Sequence, residues 1–382
     1  MSGNAAGAGP VSPQVPGLKG CPGPLSEHYD AALLDLDGVV YLGGTPIPGA
    51  ADALADAAKI GMKLAYVTNN ASRSPNAIAA QLTGMGVAAT AADIVTSAQA
   101  AAHVLADRLP AGAPVLVVGG TGLRLAVRER GLRPVTTAAD QPLAVVQGYS
   151  PGISYGLLAE AALALNAGAL YVASNADATL PTPRGPQPGN GSLVQVLVTA
   201  TGHEPIVAGK PEPPLHAESV QRVGAKRPLV VGDRLDTDIE GAVRGGSDSM
   251  LVLTGVSRPA DVLLAGPRRR PSYLAADLAG LNSGHPEITM EAAGDGVKFS
   301  CGGWTAGAAG AGVAGAGVGG GAAEGRGAAG GDGWLTVSGS GAWLDGLRAL
   351  AAAAWSAGPP AGNAQERRRT AEAVLTAIET AR

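Results

Sequence analysis

Aromatic side chains are scarce in this chain, with one Phe, four Trp and seven Tyr among 382 residues. Any core must be assembled from Ala, Val and Leu, and in a composition so skewed towards small residues an Ala count alone does not argue for helix. Cysteine is nearly absent. Cys21 and Cys301 lie far apart in Gly/Pro-rich surroundings, which excludes a disulfide framework and a cysteine metal knuckle and suits a reducing cytoplasm. Excess positive charge is missing too: the formal net charge of -4 offers no broad basic field to a nucleic acid, and the Arg268 to Arg270 triplet reads as a solvated loop. No apolar run approaches the ~18 residues that a membrane span requires. The opening MSGNAAGAGPVSPQVPG lacks the charged start and apolar stretch of a secretory signal, and residues 1–28 read as a disordered tail.

What is present is concentrated in four short peptides. In AALLDLDGVVY, Ala31 to Tyr41, an apolar run delivers Asp35 and Asp37 to Gly38, which reads as a buried strand ending in a turn. Two acids two residues apart on an extended backbone point the same way. In LAYVTNNASRSP, Leu64 to Pro75, a second run ends in Thr68, Asn69 and Asn70, where a hydroxyl and the free N–H groups of a helix start suit an anion as well as an ordinary cap. The run EPIVAGKPEP ends at Gly209 and Lys210, and RPLVVGDRLDTDI ends at Gly232 and Asp233, with Asp236 and Asp238 close behind. Each peptide alone fits a turn, a cap or a solvated loop. Together, four apolar strands ending in the residue types of phosphoryl transfer are a poor match to accident, and right-handed crossovers would bring all four ends to one side of a parallel sheet.

Between the second and third peptides, from Ala101 to about Glu204, lies a separate set of strands and helices: PVLVVGG, LRLAVRERG, LAVVQGY, SYGLLAEAALALNAG and ALYVASN. It reads as an inserted α/β domain. Its GGTG at Gly119 to Gly122 imitates a dinucleotide fingerprint, but the spacing is not GxGxxG and Asp140 falls in a polar turn. SDSMLVLTG and PSYLAADLAGL add a further strand and a last strand with helix. Beyond His285, residues 306–333 are nearly all Gly and Ala, a flexible linker by composition. Two helical segments follow, Gly341 to Gly358 and Arg367 to Ala381, with Val374, Leu375 and Ile378 on one face.

The ordered set DLDGVVY, VTNNASRSP, GKP and GDRLDTDI resembles the haloacid dehalogenase superfamily, and within it the subclass IIA branch of 4-nitrophenyl-phosphate, pyridoxal-phosphate and glycerol-phosphate phosphatases. The resemblance runs from about Tyr29 to Leu281. It implies a Rossmann-like, doubly wound parallel sheet (29–100 and 205–284), an inserted α/β cap (101–204), and a C-terminal remainder (285–382) of linker and small helical extension. Some relatives carry an acetyltransferase-like extension; no convincing acetyl-CoA phosphate loop is visible here.

The chemistry implied is Mg2+-dependent hydrolysis of small phosphomonoesters. Asp35 would be the nucleophile that forms an aspartyl-phosphate, and Asp37 the acid and base. Asp35, Asp233 and the carbonyl of Asp37 would hold the metal, with Asp238 in support. Thr68, Asn69 and Lys210 would hold the phosphoryl oxygens, and Asn70 would orient the loop or the substrate. Asn175 and Asp177 are candidates to touch the leaving group. The expected partner is a small phosphorylated metabolite such as glycerol 3-phosphate, with neither nucleic acid nor membrane. A homodimer through the cap is open by the same resemblance. So are two alternatives: a mutase passing the phosphoryl group to a sugar hydroxyl, and a non-catalytic sensor of phosphate esters.

Overall fold

The computed structural model describes residues 17–180, 182, 184–293, 296–308, 328–329 and 334–380. The start of the expected tail, and most of the Gly/Ala tract, lie outside them. The chain divides into two compact units. The larger takes in Gly23–Ser257 and Leu274–Gly284.

In the larger unit, β1 (Ala31–Leu34) is buried at every position, as an unbroken apolar run in a sheet covered on both faces should be. The chain continues through α1 (Ala50–Ile60), β2 (Lys63–Thr68), α2 (Pro75–Gly84), β3 (Ile94–Thr96) and α3 (Ser97–Ala106). Starts are set locally. The Ser74 hydroxyl accepts from Ala77 N ahead of Pro75 in α2, and Thr96 with Gln99 forms a capping box on α3. Next come β4 (Pro114–Val118), α4 (Thr121–Glu129), β5 (Arg133–Val135), β6 (Ala144–Gln147), α5 (Tyr155–Asn166), β7 (Leu170–Ala173), α6 (Asn190–Thr201) and β8 (Ile206–Val207). The chain then returns with α7 (Pro213–Val223), β9 (Pro228–Gly232), α8 (Glu240–Arg244), β10 (Asp248–Val252) and, after a segment of the other unit that holds α9 (Pro259–Leu263), β11 (Tyr273–Ala275).

Two sheets result. The first has the order β11-β10-β9-β1-β2-β3, with parallel pairing from β10 to β3. From β1 the chain moves to β2 on one side and later returns to β9 on the other. The crevice beyond the carboxyl end of β1 is therefore the switch point where ligands bind in open α/β sheets, and Asp35 stands there. The second sheet, β8-β7-β6-β4-β5, is parallel throughout and belongs to the insertion; the short strand before Gly209 and Lys210, expected in the first sheet, is its edge strand β8, because it pairs with β7. A Rossmann-like core with an inserted α/β cap is what the sequence led us to expect.

The two sheets share packing. One apolar cluster runs from Leu33, Val67 and Val230 of the first sheet through Ala98, Ala101 and Leu105 of α3 to Val115, Val117 and Val146 of the second. The far face of the second sheet is covered by α5 and α6, around Leu165 and Leu197. Beside the shared cluster, Glu218 of α7 is 5% exposed and ties three elements together. It lies 2.6 Å from the ring of His103 on α3, and accepts from Arg130 at 3.0 Å and from Arg222 at 2.6 Å.

Residues 17–28, grouped with the tail by composition, are ordered in part: Leu25–His28 form a helical turn, and Leu18, Cys21 and Leu25 are buried. The second unit departs further from expectation. Besides the two anticipated helices, α10 (Trp343–Ala357) and α11 (Ala364–Thr380), it contains a five-stranded antiparallel sheet: β12 (Thr289–Ala293), β13 (Gly296–Cys301), β14 (Trp304–Ala308), β15 (Ala328–Ala329) and β16 (Leu335–Gly339). Their order is β12-β13-β14-β16-β15. Phe299, Cys301, Trp304, Ala306, Leu335 and Val337 turn inward, two per strand, too short an alternation to stand out from the Gly and Ala around it. Trp355 of α10 donates from Nε1 to Val262 O at 2.8 Å and carries the Arg270 guanidinium 5.3 Å from its ring centroid. Among the described residues no helix is long and apolar enough to cross a membrane.

Burial would raise the Glu218 carboxyl, but Arg222, His103 and Arg130 overcome it and hold the group below its usual range. Its contribution to stability is thus present above the ordinary carboxylate pKa and lost as pH falls through the depressed one. Glu218→Ala removes the acceptor shared by these partly exposed side chains and should cost about 1.5–3 kcal/mol in urea unfolding at neutral pH. An unchanged midpoint would show that the cluster adds no net stability.

Candidate active site

The first peptide leaves β1 with Asp35, whose N–H continues the ladder by donating to Val231 O at 2.8 Å. Gly38 then turns the chain at φ +90°, its N–H donating to Tyr41 O at 2.7 Å. A side chain is excluded twice over at this glycine, because an added Cβ would lie 2.5 Å from the Asp233 carboxyl as well as in a left-handed backbone. Asp37 is exposed and accepts from Gly43 N at 3.3 Å. Asp233 follows β9 and is fully buried, its Oδ2 accepting from Val256 N at 2.6 Å. Asp238 sits on a single π-helical turn, Leu235–Ile239, and accepts from Arg234 N at 3.1 Å.

Asp35, Asp233 and Asp238 converge, each offering an oxygen within 4.8 Å of the others. Lys210 enters from the third peptide. Its ammonium is paired with Asp35, lies 2.7 Å from Asp238 Oδ1 and donates to Val67 O at 3.1 Å. Burial alone would lower its pKa; the Asp238 and Asp35 carboxylates overcome that and raise it. Three carboxylates against one ammonium leave an uncompensated charge of -2 when all are ionised. Burial, then repulsion by Asp238 and Asp35, pushes the Asp233 carboxyl to about 7. Asp35 rises to about 6, driven first by burial, with Lys210 opposing and Asp238 adding to the rise. Asp233 Oδ1 is buried without a hydrogen-bond partner. An all-oxygen donor set, surplus negative charge and an orphaned carboxylate oxygen fit a hard divalent cation.

The second peptide is placed at the same strand ends. Thr68 is 9% exposed and its Oγ1 accepts from Asn70 N at 3.1 Å. The Asn70 carboxamide oxygen accepts from the N–H and hydroxyl of Ser72, both at 2.9 Å, so this residue shapes the loop. Asn69 behaves differently: its carboxamide meets the Lys210 backbone and Asp177. Asn175 was expected to reach a leaving group, yet it is 5% exposed, donates to Asn69 O at 2.7 Å and accepts from Asp177 N at 3.2 Å. The first contact joins the insertion to the loop after β2, and the second closes a local turn within the insertion. Asp236 turns away as well, into a two-point pair with Arg234 at 3.0 and 2.8 Å.

The GGTG peptide also receives a physical account. Gly122 N donates to Ser72 O at 3.0 Å, and an added Cβ on Gly122 would lie 2.4 Å from Arg73 O. The glycines let the insertion's backbone press on the loop after Thr68, and the helix start points at that loop's carbonyls, so the resemblance to a dinucleotide fingerprint ends there.

Three further contributors lie outside the expected site residues. Thr254 donates to Gly38 O at 2.5 Å, and Val256 N holds Asp233; both come from a loop unremarkable in sequence. Tyr41 is half-buried beside the acids, its hydroxyl pushed up to about 12 by burial and then by Asp37 and Asp35. Its place in the first peptide was the available hint.

Comparison with known proteins comes to the same region. Residues 32–133 match the family model described as haloacid dehalogenase-like hydrolase, and residues 207–281 match a related model for HAD-like hydrolases. A D-glycerol 3-phosphate phosphatase of Mycobacterium tuberculosis is 52% identical over 258 residues, covering 68% of this chain and 72% of that protein. An acid sugar phosphatase of Staphylococcus aureus is 37% identical over 66% of this chain and 96% of its own. The crystal structure of a glycerol phosphate phosphatase from M. tuberculosis, in complex with magnesium, superposes with a TM-score of 0.74 at 40% identity, over 92% of this chain and 99% of that one. A p-nitrophenyl phosphatase from Archaeoglobus fulgidus gives 0.62 at 30% identity, over 66% and 98%.

Because the raised carboxyls must lose their protons to hold a cation, metal affinity should fall as pH drops below about 7, and binding should release protons. Calorimetry of Mg2+ binding in buffers of differing ionisation enthalpy reads both. Affinity independent of pH between 5.5 and 8 would remove these carboxylates from the metal site.

Proposed function

The chain belongs to the haloacid dehalogenase-like hydrolases, and we propose that it is a Mg2+-dependent phosphatase of small phosphomonoesters, with glycerol 3-phosphate first among its substrates. The observation that carries this is the meeting of Asp35, Lys210, Asp233 and Asp238 at one strand-end crevice with an unpartnered carboxylate oxygen. The substrate is chosen from the glycerol phosphate relatives.

Asp35 and Asp233 would hold the ion through side-chain oxygens and Asp37 through its carbonyl, with Asp238 in support. When bound, magnesium supplies the positive charge that lets a carboxylate approach a phosphoryl dianion. Asp35 attacks phosphorus, the ester P–O bond breaks, and an aspartyl-phosphate forms. Asp37, exposed to the crevice, gives its proton to the leaving oxygen. It then takes one from the water that attacks the aspartyl-phosphate, so Asp35 is regenerated and inorganic phosphate leaves. Lys210 keeps a full charge beside the nucleophile, and the Thr68 hydroxyl and backbone of Asn69 receive phosphoryl oxygens as charge spreads over them. Asn70 keeps that loop in shape. The cap segment around Asp177, bonded to Asn69, stands over the strand ends and favours compact substrates over polymers.

We further take two copies to pair through their caps. Helices α5 and α6 carry one charged residue between them, Glu160, and leave Tyr155 87%, Leu163 59% and Val196 48% exposed. Two buried cysteines that form no disulfide, Cys21 and Cys301, support a cytoplasmic location.

Purified protein should release phosphate from glycerol 3-phosphate and 4-nitrophenyl phosphate. Turnover should stop on chelation, return with Mg2+, and fall by about 10³-fold or more in Asp35→Asn. Full activity in that variant rejects the assigned nucleophile. Sedimentation should give a dimer that Leu163→Lys converts to monomer; a monomeric parent protein rejects the pairing.

A further inference from the structure

We infer that Asn69 is a positioning residue whose carboxamide fixes Lys210 and joins it to the cap, rather than a group that binds substrate through its side chain. The inference rests on the phosphatase reading for the importance of Lys210. A carboxamide has two N–H donors and one acceptor oxygen. Here Oδ1 accepts from Lys210 N at 2.8 Å, and Nδ2 donates to Lys210 O at 3.1 Å and to the Asp177 carboxylate at 3.1 and 3.3 Å. The first two contacts grip the N–H and C=O of one residue, as a neighbouring strand would. The third crosses to the cap.

The surroundings allow little else. An added Cβ on Gly209 would lie 2.6 Å from Asn69 Oδ1 and 2.5 Å from Ser174 O, so only glycine lets the Lys210 segment come this close. The Asn69 carbonyl is held by the Ser97 hydroxyl at 2.6 Å and by Asn175 Nδ2 at 2.7 Å. A continuous series of hydrogen bonds therefore leads from Asp177 through Asn69 to the Lys210 backbone, and the ammonium at the end of that side chain meets Asp35 and Asp238. For the Asn69 carboxamide to take a phosphoryl oxygen, at least one of these contacts must break. Held as it is, it transmits the position of the cap to the cation beside the nucleophile.

The full chain tests this with two readouts. In Asn69→Ala, hydrogen exchange at the Lys210 amide should accelerate by roughly tenfold or more, the loss of one hydrogen bond. The kcat on 4-nitrophenyl phosphate should fall about 100-fold from misplacement of the ammonium. Asn69→Asp sets a second carboxylate against Asp177 and should fall as far. Combining it with Asp177→Asn restores an amide–carboxylate pair with the roles exchanged, and should recover roughly tenfold of the loss. A side chain that touched phosphate would gain nothing from a change in the cap. A double variant as poor as Asn69→Asp, or unchanged exchange at Lys210 in Asn69→Ala, overturns the inference. If the parent protein hydrolyses no phosphate ester, the phosphatase reading fails, while exchange at Lys210 still decides whether Asn69 holds it.

Discussion

Three carboxylates, two buried and one nearly so, gathered about a single ammonium impose the constraint to which the larger unit answers. Like charges in a poorly solvated crevice repel, and each desolvated oxygen without a partner costs free energy. The structure meets part of this demand with fixed donors: Lys210 between Asp35 and Asp238, Val256 N on Asp233, Arg234 N on Asp238. It leaves the rest unmet at Asp233 Oδ1. A protein that stabilised these acids fully would have nothing left with which to bind a cation. The raised carboxyls of Asp35 and Asp233 are the measure of that deliberate shortfall.

Holding such a cluster requires a stiff frame, and the fold supplies it through close backbone approach. Gly38, Gly232 and Gly255 each stand where an added Cβ would run into a site carboxylate, Asp233 or Asp238. The second sheet is pressed onto the first by a shared apolar cluster and by glycine contacts around Ser72 and Asn69. A cap docked in this way shapes the loop after Thr68 directly, which links residues remote in sequence to the position of the Lys210 ammonium.

The second unit has a different construction, an antiparallel sheet with the helices α9, α10 and α11, built from three separated stretches of chain. Sequence identity to the M. tuberculosis phosphatase covers 68% of the chain, whereas superposition on a magnesium-bound glycerol phosphate phosphatase covers 92%. The larger unit spans 246 residues of 382, so the structural likeness extends into this second unit. Its packing depends on a few large side chains, among them Phe299, Trp304 and Trp355, set among small ones.

Much of the catalytic unit could be read before any coordinates. Apolar runs that stop at Asp35, Thr68, Lys210 and Asp233 mark strand ends, because burial and turn chemistry are local properties of adjacent residues. Parallel crossovers then bring the ends at Asp35, Thr68 and Asp233 to one edge of the first sheet, whereas Lys210 reaches the same crevice from beyond β8 of the second. What remained hidden depends on contacts between distant segments: Asn175 engaged in docking, Asn69 gripping Lys210, GGTG pressed on Ser72, Thr254 and Val256 behind the first turn. The sheet after His285 is not legible in the sequence because strand pairing is settled by partners across the sheet, and β13, β14 and β16 each offer only two inward side chains. By itself, then, the amino-acid order determined which residue types stand at the strand ends and the chemistry open to them. The tertiary structure alone decided which hydrogen-bonding groups are left free for a ligand, since that depends on every donor and acceptor that folding brings within reach.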